Sequence, residues 1–343
     1  MENQFYVSSA PHISDKDTVQ KIMFDVVLAL VPAMIASIYF FGVRAGLIIL
    51  ITVAACMTTE AAIQRLMKKP ITISDGSAIV TGILLAFNLP AKVPWWLPVI
   101  GSVFAIAIGK HAFGGLGYNP MNPALLGRAF LLASWPEDMT SSIFVPAPGE
   151  TFAWLSIDGF TSATPLEVMK NAQKILAEGG DNVTNAAKAV SELTGSYDLL
   201  FWGRVGGCLG ETSAFALLIG AIYLLYKRRI GFKIPLTYIG TVALLTWIFG
   251  SANGLFKGDP IFHVLAGGLI LGAFFMATDM VTSPVTFWGH IVFGIGCGVI
   301  TVIIRLIGGY PEGVSYSILL MNLTVPLLDK FTKPKIFGEV KAK

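Results

Sequence analysis

The chain has 343 residues, of which 54% are hydrophobic and only 13% are charged, whereas a soluble globular chain carries roughly 25% charged residues. This composition excludes an ordinary soluble domain and predicts a polytopic membrane protein. The net charge of +3 is too small and too scattered to indicate a nucleic-acid partner. Cys56, Cys208 and Cys297 lie far apart without CxxC spacing, so they predict neither a disulfide framework nor a metal cluster.

Ten apolar segments follow a polar N-terminal stretch, residues 1–21, which lacks the basic start of a cleavable signal peptide. A hydrophilic insertion at residues 135–204 divides them into two sets of five, and a polar tail occupies residues 330–343. The sequence therefore predicts two five-helix membrane repeats, residues 22–134 and 205–329. The ten segments are approximately 22–41, 45–64, 77–90, 95–113, 121–134, 205–226, 234–250, 261–278, 286–307 and 314–329.

Several of these segments are too short to cross a bilayer alone or are interrupted by proline. Residues 77–90 end at Pro90, and residues 121–134 follow a proline-rich stretch at 118–123. Short motifs recur in the same order in both halves, and an odd number of helices per half would invert one half relative to the other. We therefore predict an all-α protein with ten transmembrane segments in two inverted five-helix repeats, an arrangement similar to that of urea transporters.

Basic residues predict the orientation in the membrane. With the N-terminus in the cytoplasm, most lysines and arginines fall in cytoplasmic loops, and Lys227, Arg228 and Arg229 form the strongest cluster. Both termini are then cytoplasmic, and residues 135–204 lie outside.

The insertion predicts two helices, at 165–177 and 181–193. Thr164, Pro165 and Glu167 have the spacing of a capping box, in which a threonine side chain caps the helix and proline occupies its first position. From these residues alone, an ordinary helix start is a better explanation of Thr164 than a chemical role.

A second interpretation comes from residues 158–164, DGFTSAT, which resemble the flavinylation motif Asp-x-x-Ser/Thr-Gly-Ala-Thr. Residues 119–130, NPMNPALLGRAF, look like the signature of two sister families, the D subunit of the Rnf complex and the B subunit of the sodium-pumping NADH:quinone reductase. Residues 74–77 and 277–284 are similar to further shared blocks. The short N-terminal stretch favours the Rnf D subunit. Ser162 departs from the motif, which usually has glycine there.

The resemblance implies FMN joined by a phosphoester to Thr164, attached by a flavin transferase. The attachment motif would comprise Asp158, Thr161, Ser162, Ala163 and Thr164. It also implies a second cofactor or ion cavity, and leaves open a second, non-covalent flavin such as riboflavin. That cavity would be lined by Asn119, Asn122, Arg128, Thr278 and Asp279, with Lys110 and His111 nearby.

Arg128 is a charge inside an apolar segment, where insertion costs about 2.5–3.5 kcal/mol, so we expect it to have a partner. Asp279 is the carboxylate that the sequence suggests. The alternative role for Arg128 is a structural lock between the two halves. Asp25 and His290 are weaker candidates for function.

The resemblance implies one subunit of an ion-translocating ferredoxin:NAD oxidoreductase in a bacterial or archaeal cytoplasmic membrane, coupled to Na⁺ or H⁺. Its expected partners are lipid, iron–sulfur membrane subunits, a second subunit with covalent FMN, and subunits that react with NAD and ferredoxin, because the chain itself has no nucleotide-binding or iron–sulfur motif. The alternatives are a B-type subunit of the quinone reductase, a urea-transporter-like solute channel without a redox cofactor, and a scaffold in which Thr164 only caps a helix.

Overall fold

A computed structural model describes residues 17–140, 164–178, 183–211, 213–251, 254–310 and 312–333. Within these ranges the chain is helical and has no β-strand, and its β pairing is limited to one isolated bridge between Pro90 and Cys208. The predicted all-α class is therefore confirmed for the described part of the chain.

The first half begins with two long helices that are separated by Gly42, whose φ of 74° ends the first one. Shorter helices follow, and α4 continues into one π-helical turn at Ala107–His111. The helices are α1 (Val19–Phe41), α2 (Val43–Leu66), α3 (Ser77–Phe87), α4 (Trp96–Ile106), α5 (Pro123–Ser134) and α6 (Pro136–Thr140).

The insertion contributes α7 (Pro165–Glu178), α8 (Val183–Thr194) and α9 (Tyr197–Trp202). The two helices predicted there are confirmed to within two residues at each end. The second half contains α10 (Ala214–Tyr226), α11 (Lys233–Phe249), α12 (Pro260–Leu265), α13 (Leu269–Leu271), α14 (Phe287–Leu306) and α15 (Val314–Phe331). A second π-helical turn, Gly272–Met276, follows α13.

Three of the described helices, α1, α2 and α14, are long and apolar enough to cross a membrane. Shorter apolar helices include α3, α5, α10 and α11. Large aliphatic side chains such as Leu28, Ile35, Leu50, Ile222 and Leu236 are exposed on their outer faces. In water such a surface would be costly, whereas in a bilayer it contacts lipid.

The two halves share one hydrophobic core, which contains residues of α1, α3, α5, α10, α14 and α15. In the first half, the second helix, α2, packs on α4. In the second half, the second helix, α11, packs on α14. Between the halves, α1 packs on α10 and α5 on α15. Gly220 of α10 lies so close to α1 that an added Cβ would come within 1.9 Å of the Ala29 carbonyl oxygen, so this crossing requires glycine.

Candidate functional site

Thr164 is the residue immediately before α7. Its Oγ1 accepts a hydrogen bond from the Glu167 backbone N–H at 3.2 Å, and its carbonyl accepts one from Val168 at 3.0 Å. The predicted helix cap is therefore confirmed. Asp158, Thr161, Ser162 and Ala163, the rest of the predicted motif, lie outside the described residues.

Thr164 opens onto a pocket of about 740 Å³ that lies between α7 and the membrane helices. We call this cavity the Thr164 pocket. Its walls are mostly apolar and include Leu132, Leu166, Leu200 and Val205, while three charged side chains form its polar part, Arg128, Glu211 and Glu312. A mainly apolar lining with a few convergent polar groups is typical of small-molecule and cofactor sites.

Arg128 of α5 connects the two halves through its guanidinium group. Its Nη2 donates to Glu312 Oε2 at 2.6 Å, and its Nη1 donates at 2.8 Å to both Asn88 Oδ1 and Ser315 Oγ. Glu211 Oε1 lies 3.5 Å from the same Nη1. The expected ion-pair partner, Asp279, was therefore wrong: its place is taken by Glu312, on the loop that precedes α15.

Asp279 instead lies apart from Arg128 and accepts hydrogen bonds close to itself in the chain. Its Oδ2 accepts from Thr282 Oγ1 at 3.1 Å, and its Oδ1 accepts from the Val281 N–H at 3.4 Å. The Asp279 carboxylate is therefore hydrogen-bonded within its own segment and not to Arg128.

Glu211 and Glu312 are residues that the sequence interpretation missed. Glu312 also accepts a hydrogen bond from the Gly268 backbone N–H. A Cβ at Gly268 would lie 2.7 Å from Glu312 Oε1 and 3.2 Å from Glu211 Oε1, so both carboxyl groups reach the same point on the backbone. Glu211 stands in an apolar segment as Arg128 does, and that same signal could have identified it.

Helix α7 is docked on the second half of the protein. Leu166 and Met169 are buried with Phe262 and Ala266 of α12 and its C-terminal end. Lys170 Nζ donates to the carbonyl groups of Gly308 and, at 3.0 Å, Tyr310.

Two further bonds fix the neighbouring segments. Gln173 Nε2 donates to the Gly250 carbonyl at 2.6 Å. Tyr197 of α9 donates to Asp259 at 2.5 Å, and burial together with this carboxylate raises the pKa of Tyr197 to about 12. The phenol therefore stays protonated and donates at physiological pH.

Four of the five residues predicted for the second cavity do lie together, in a different pocket. This Asn122 pocket, about 830 Å³, is lined by Asn119, Asn122, Thr278 and Asp279, and also by Lys110. It lies near the start of α1 and the end of α10, at the opposite end of α10 from Glu211. Arg128, the fifth predicted residue, belongs to the Thr164 pocket instead.

Most polar groups of the Asn122 pocket have hydrogen-bond partners within the described part of the chain, but one does not. Asn122 caps α5 by accepting from the N–H groups of Ala124 at 3.0 Å and Leu125 at 3.3 Å, and its amide donates to the Met276 carbonyl at 3.5 Å. Thr278 donates to its own helical turn. Asn119 Oδ1 is buried and has no hydrogen-bond partner in the described part of the chain, which leaves it able to accept from a ligand.

Lys110 pairs with Glu60, a buried carboxylate that was also missed. Lys110 Nζ lies 2.7 and 2.8 Å from the two Glu60 oxygens and donates to Ser77 Oγ at 2.7 Å, while His111 Nε2 is 3.8 Å from Glu60. Of the weaker candidates, Asp25 accepts from Tyr223 and Arg229 at 2.9 and 2.8 Å. His290 Nδ1 is buried without a partner among the described residues.

Comparisons with known proteins identify one family over nearly the whole chain. The family described as NQR2, RnfD, RnfE matches residues 6–338. The chain is similar to the D subunit of the Na⁺-translocating ferredoxin:NAD⁺ oxidoreductase complex of Acetobacterium woodii, with 49% identity over 98% of this chain and 96% of the relative.

It is also 47% identical to the D subunit of the proton-translocating ferredoxin:NAD⁺ oxidoreductase complex of Clostridium ljungdahlii, over 98% of this chain and 97% of that one. The D subunit of the ion-translocating oxidoreductase complex of Stutzerimonas stutzeri is 40% identical over 94% and 93% of the two chains.

Proposed function

This chain belongs to the NQR2, RnfD, RnfE family, and from that premise we propose that it is the D subunit of an Rnf-type ferredoxin:NAD oxidoreductase and carries FMN on Thr164. It is one subunit of an ion-translocating oxidoreductase complex, as its relatives' names indicate. Two relatives of nearly equal identity are named for different ions. The proposal therefore covers either Na⁺ or H⁺ as the coupling ion.

One observation carries the flavin proposal: the Thr164 hydroxyl stands at the N-terminus of a 14-residue helix and opens into the Thr164 pocket. Free backbone N–H groups and the helix dipole favour an anion at this position. A phosphoester on Thr164 would keep acceptor oxygens there, so helix capping and flavin attachment are compatible in one geometry.

The residues around Thr164 fit a tethered flavin. The first turn of α7 would hold the phosphate, and Leu166, Leu200 and Val205 would provide an apolar wall that excludes water from the ring. FMN would supply one- and two-electron transfer, while the protein sets its position and potential. Arg128, Glu211 and Glu312 place their charges where they act on that potential.

The proposal requires partners. A flavin transferase would attach FMN, with Asp158, Thr161, Ser162 and Ala163 as its recognition motif. Because the sequence has no nucleotide-binding or iron–sulfur motif, the reactions with NAD and ferredoxin belong to other subunits. These include iron–sulfur membrane subunits and a second subunit with covalent FMN.

We also propose ten membrane segments in two inverted repeats, in the cytoplasmic membrane of a bacterium or archaeon. The repeated packing of α2 on α4 and of α11 on α14 supports this arrangement. Both termini would be cytoplasmic and residues 135–204 outside, as the positions of the basic residues favour. The Thr164 pocket then faces outward, and the Asn122 pocket faces the cytoplasm.

The Asn122 pocket is the proposed place for a second, non-covalent flavin such as riboflavin. Its mainly apolar lining and the unpartnered Asn119 Oδ1 support a ring with hydrogen-bond donors. A solute channel of the urea-transporter type remains the alternative from another class, and the family membership favours the redox function.

Attachment of FMN is tested by producing the chain together with a flavin transferase. The denatured wild-type band should fluoresce under ultraviolet light, and its intact mass should include one FMN ester. Thr164→Ala should abolish both signals. Thr140→Ala is the matched control, because Thr140 lines the same pocket but donates to Pro136 within its own helix. A Thr164→Ala chain that still carries flavin would contradict the assignment.

A further inference from the structure

The polar part of the Thr164 pocket contains two carboxyl groups and one guanidinium group in mutual contact. Arg128 lies 2.6 Å from Glu312 and 3.5 Å from Glu211. The three side chains are only 6–12% exposed, so little water screens the charges from one another. Glu211 Oε1 has no hydrogen-bond partner among the described residues.

Both carboxyl groups reach the same point on the backbone, because a Cβ at Gly268 would lie 2.7 Å from Glu312 Oε1 and 3.2 Å from Glu211 Oε1. The single guanidinium group of Arg128 can balance only one ionised carboxylate, and a second negative charge buried beside the first is strongly disfavoured. One of them must therefore hold a proton. Glu312 accepts from Arg128 and from the Gly268 N–H, which stabilises its ionised form, whereas Glu211 lacks these donors. The proton accordingly belongs on Glu211.

The surrounding elements do not supply a second cation in direct contact with the pair. Arg305 of α14 is nearby, but it donates to the carbonyl groups of His263 at 2.5 Å and Ala266 at 3.2 Å. No other lysine or arginine of the described chain lies within 4 Å of either carboxyl group. The remaining titratable neighbours are Cys208, Tyr310 and Tyr316.

We propose that Glu211 and Glu312 share one proton and form a protonation site in the wall of the Thr164 pocket, which tunes the potential of a flavin bound there. The tuning of the flavin potential rests on the proposed function, because it requires a flavin in the Thr164 pocket. At low pH the pair is less negative, so adding an electron to the flavin is easier. When the pair loses its proton at higher pH, its extra negative charge opposes reduction and the midpoint potential falls.

The shared proton can be tested without any flavin, in membranes that contain the Thr164→Ala chain. Infrared spectra at neutral pH should show the C=O band of a protonated carboxylic acid that Glu211→Gln removes. The glutamine amide can donate to Glu312 as the protonated carboxyl does, so this variant should fold. Glu192→Gln is the control, because Glu192 is 68% exposed on α8 and should leave that band unchanged.

Glu211→Asp provides a second variant, since the shorter side chain should weaken the contact and shift the band. Spectra that are unchanged in both Glu211 variants would overturn the shared proton. This result does not depend on flavin attachment, so failure of the proposed function would be recognised separately.

The effect on potential is tested in the flavinylated chain by redox titration over a range of pH. Glu211→Gln should make the midpoint potential fall less steeply with pH and leave it higher at alkaline pH than in wild type. Glu192→Gln should reproduce the wild-type slope. Equal slopes in wild type and Glu211→Gln would overturn the tuning role.

Discussion

Arg128 makes a strong connection between the halves at the scale of a single residue. Its guanidinium uses two nitrogens on Asn88, Ser315 and Glu312, groups that come from the end of α3, α15 and the loop before α15. A buried cation is tolerated in such a place only when hydrogen bonds and a counter-charge replace its hydration. Arg128 can therefore both hold the two halves together and form part of the wall of the Thr164 pocket.

Glu312→Gln should destabilise the protein because it leaves Arg128 without its closest counter-charge. Breaking one partner out of a buried ion pair costs about 3–5 kcal/mol, and ionisation of Glu211, 3.5 Å from Arg128, offsets part of this cost. We expect a lower thermal unfolding midpoint in detergent than for wild type. Glu192→Gln is the control, because its exposed pair with Lys188 is worth about 0–1 kcal/mol. Equal midpoints for the two variants would contradict the importance of the Arg128–Glu312 pair.

The sequence identified Arg128 as a residue that needs a partner, but it could not identify which partner. The cost of a charge among apolar residues is visible locally, whereas the partner depends on which loops meet in space. Glu312 lies 184 positions away from Arg128. Asp279 occurs in an equally apolar setting, and only the fold shows that it bonds to Thr282.

At the scale of one element, α7 is the helix that determines where Thr164 lies. Thr164, Pro165 and Glu167 predict where this helix starts, and the structure confirms the helix. Its docking was not predictable, because Lys170 and Gln173 bind backbone carbonyl groups of Gly308, Tyr310 and Gly250. Carbonyl groups occur at every residue and leave no pattern in a sequence.

Lys170→Met should loosen α7 from the membrane helices. The substitution keeps most of the apolar stem but removes the ammonium group, and hydrogen bonds to a charged group contribute about 1.5–3 kcal/mol. We expect amide hydrogen exchange in α7 to become about tenfold faster or more. Lys174→Met is the control, since Lys174 is 71% exposed and pairs only weakly with Glu178. Unchanged exchange in Lys170→Met would show that apolar contacts alone hold the helix.

At the scale of the whole molecule, composition and hydrophobic runs predicted the membrane class, and each predicted segment contains helix. They did not predict the two π-helical turns, Ala107–His111 and Gly272–Met276. The family resemblance grouped into one cavity five residues that lie in two pockets. Apolar runs report burial in lipid or protein, but they do not report which segments meet.

The proposed orientation of these two pockets rests on the distribution of basic residues and can be tested by cysteine labelling in cells. Cys56, Cys208 and Cys297 are buried, so the parent chain should react little with a membrane-impermeant maleimide. Lys174→Cys places a thiol on the exposed face of α7 and should be labelled in intact cells. Lys69→Cys, exposed after α2, should be labelled only after permeabilisation. The reverse pattern would place Thr164 in the cytoplasm, because α7 follows Thr164 directly and both must lie on the same side.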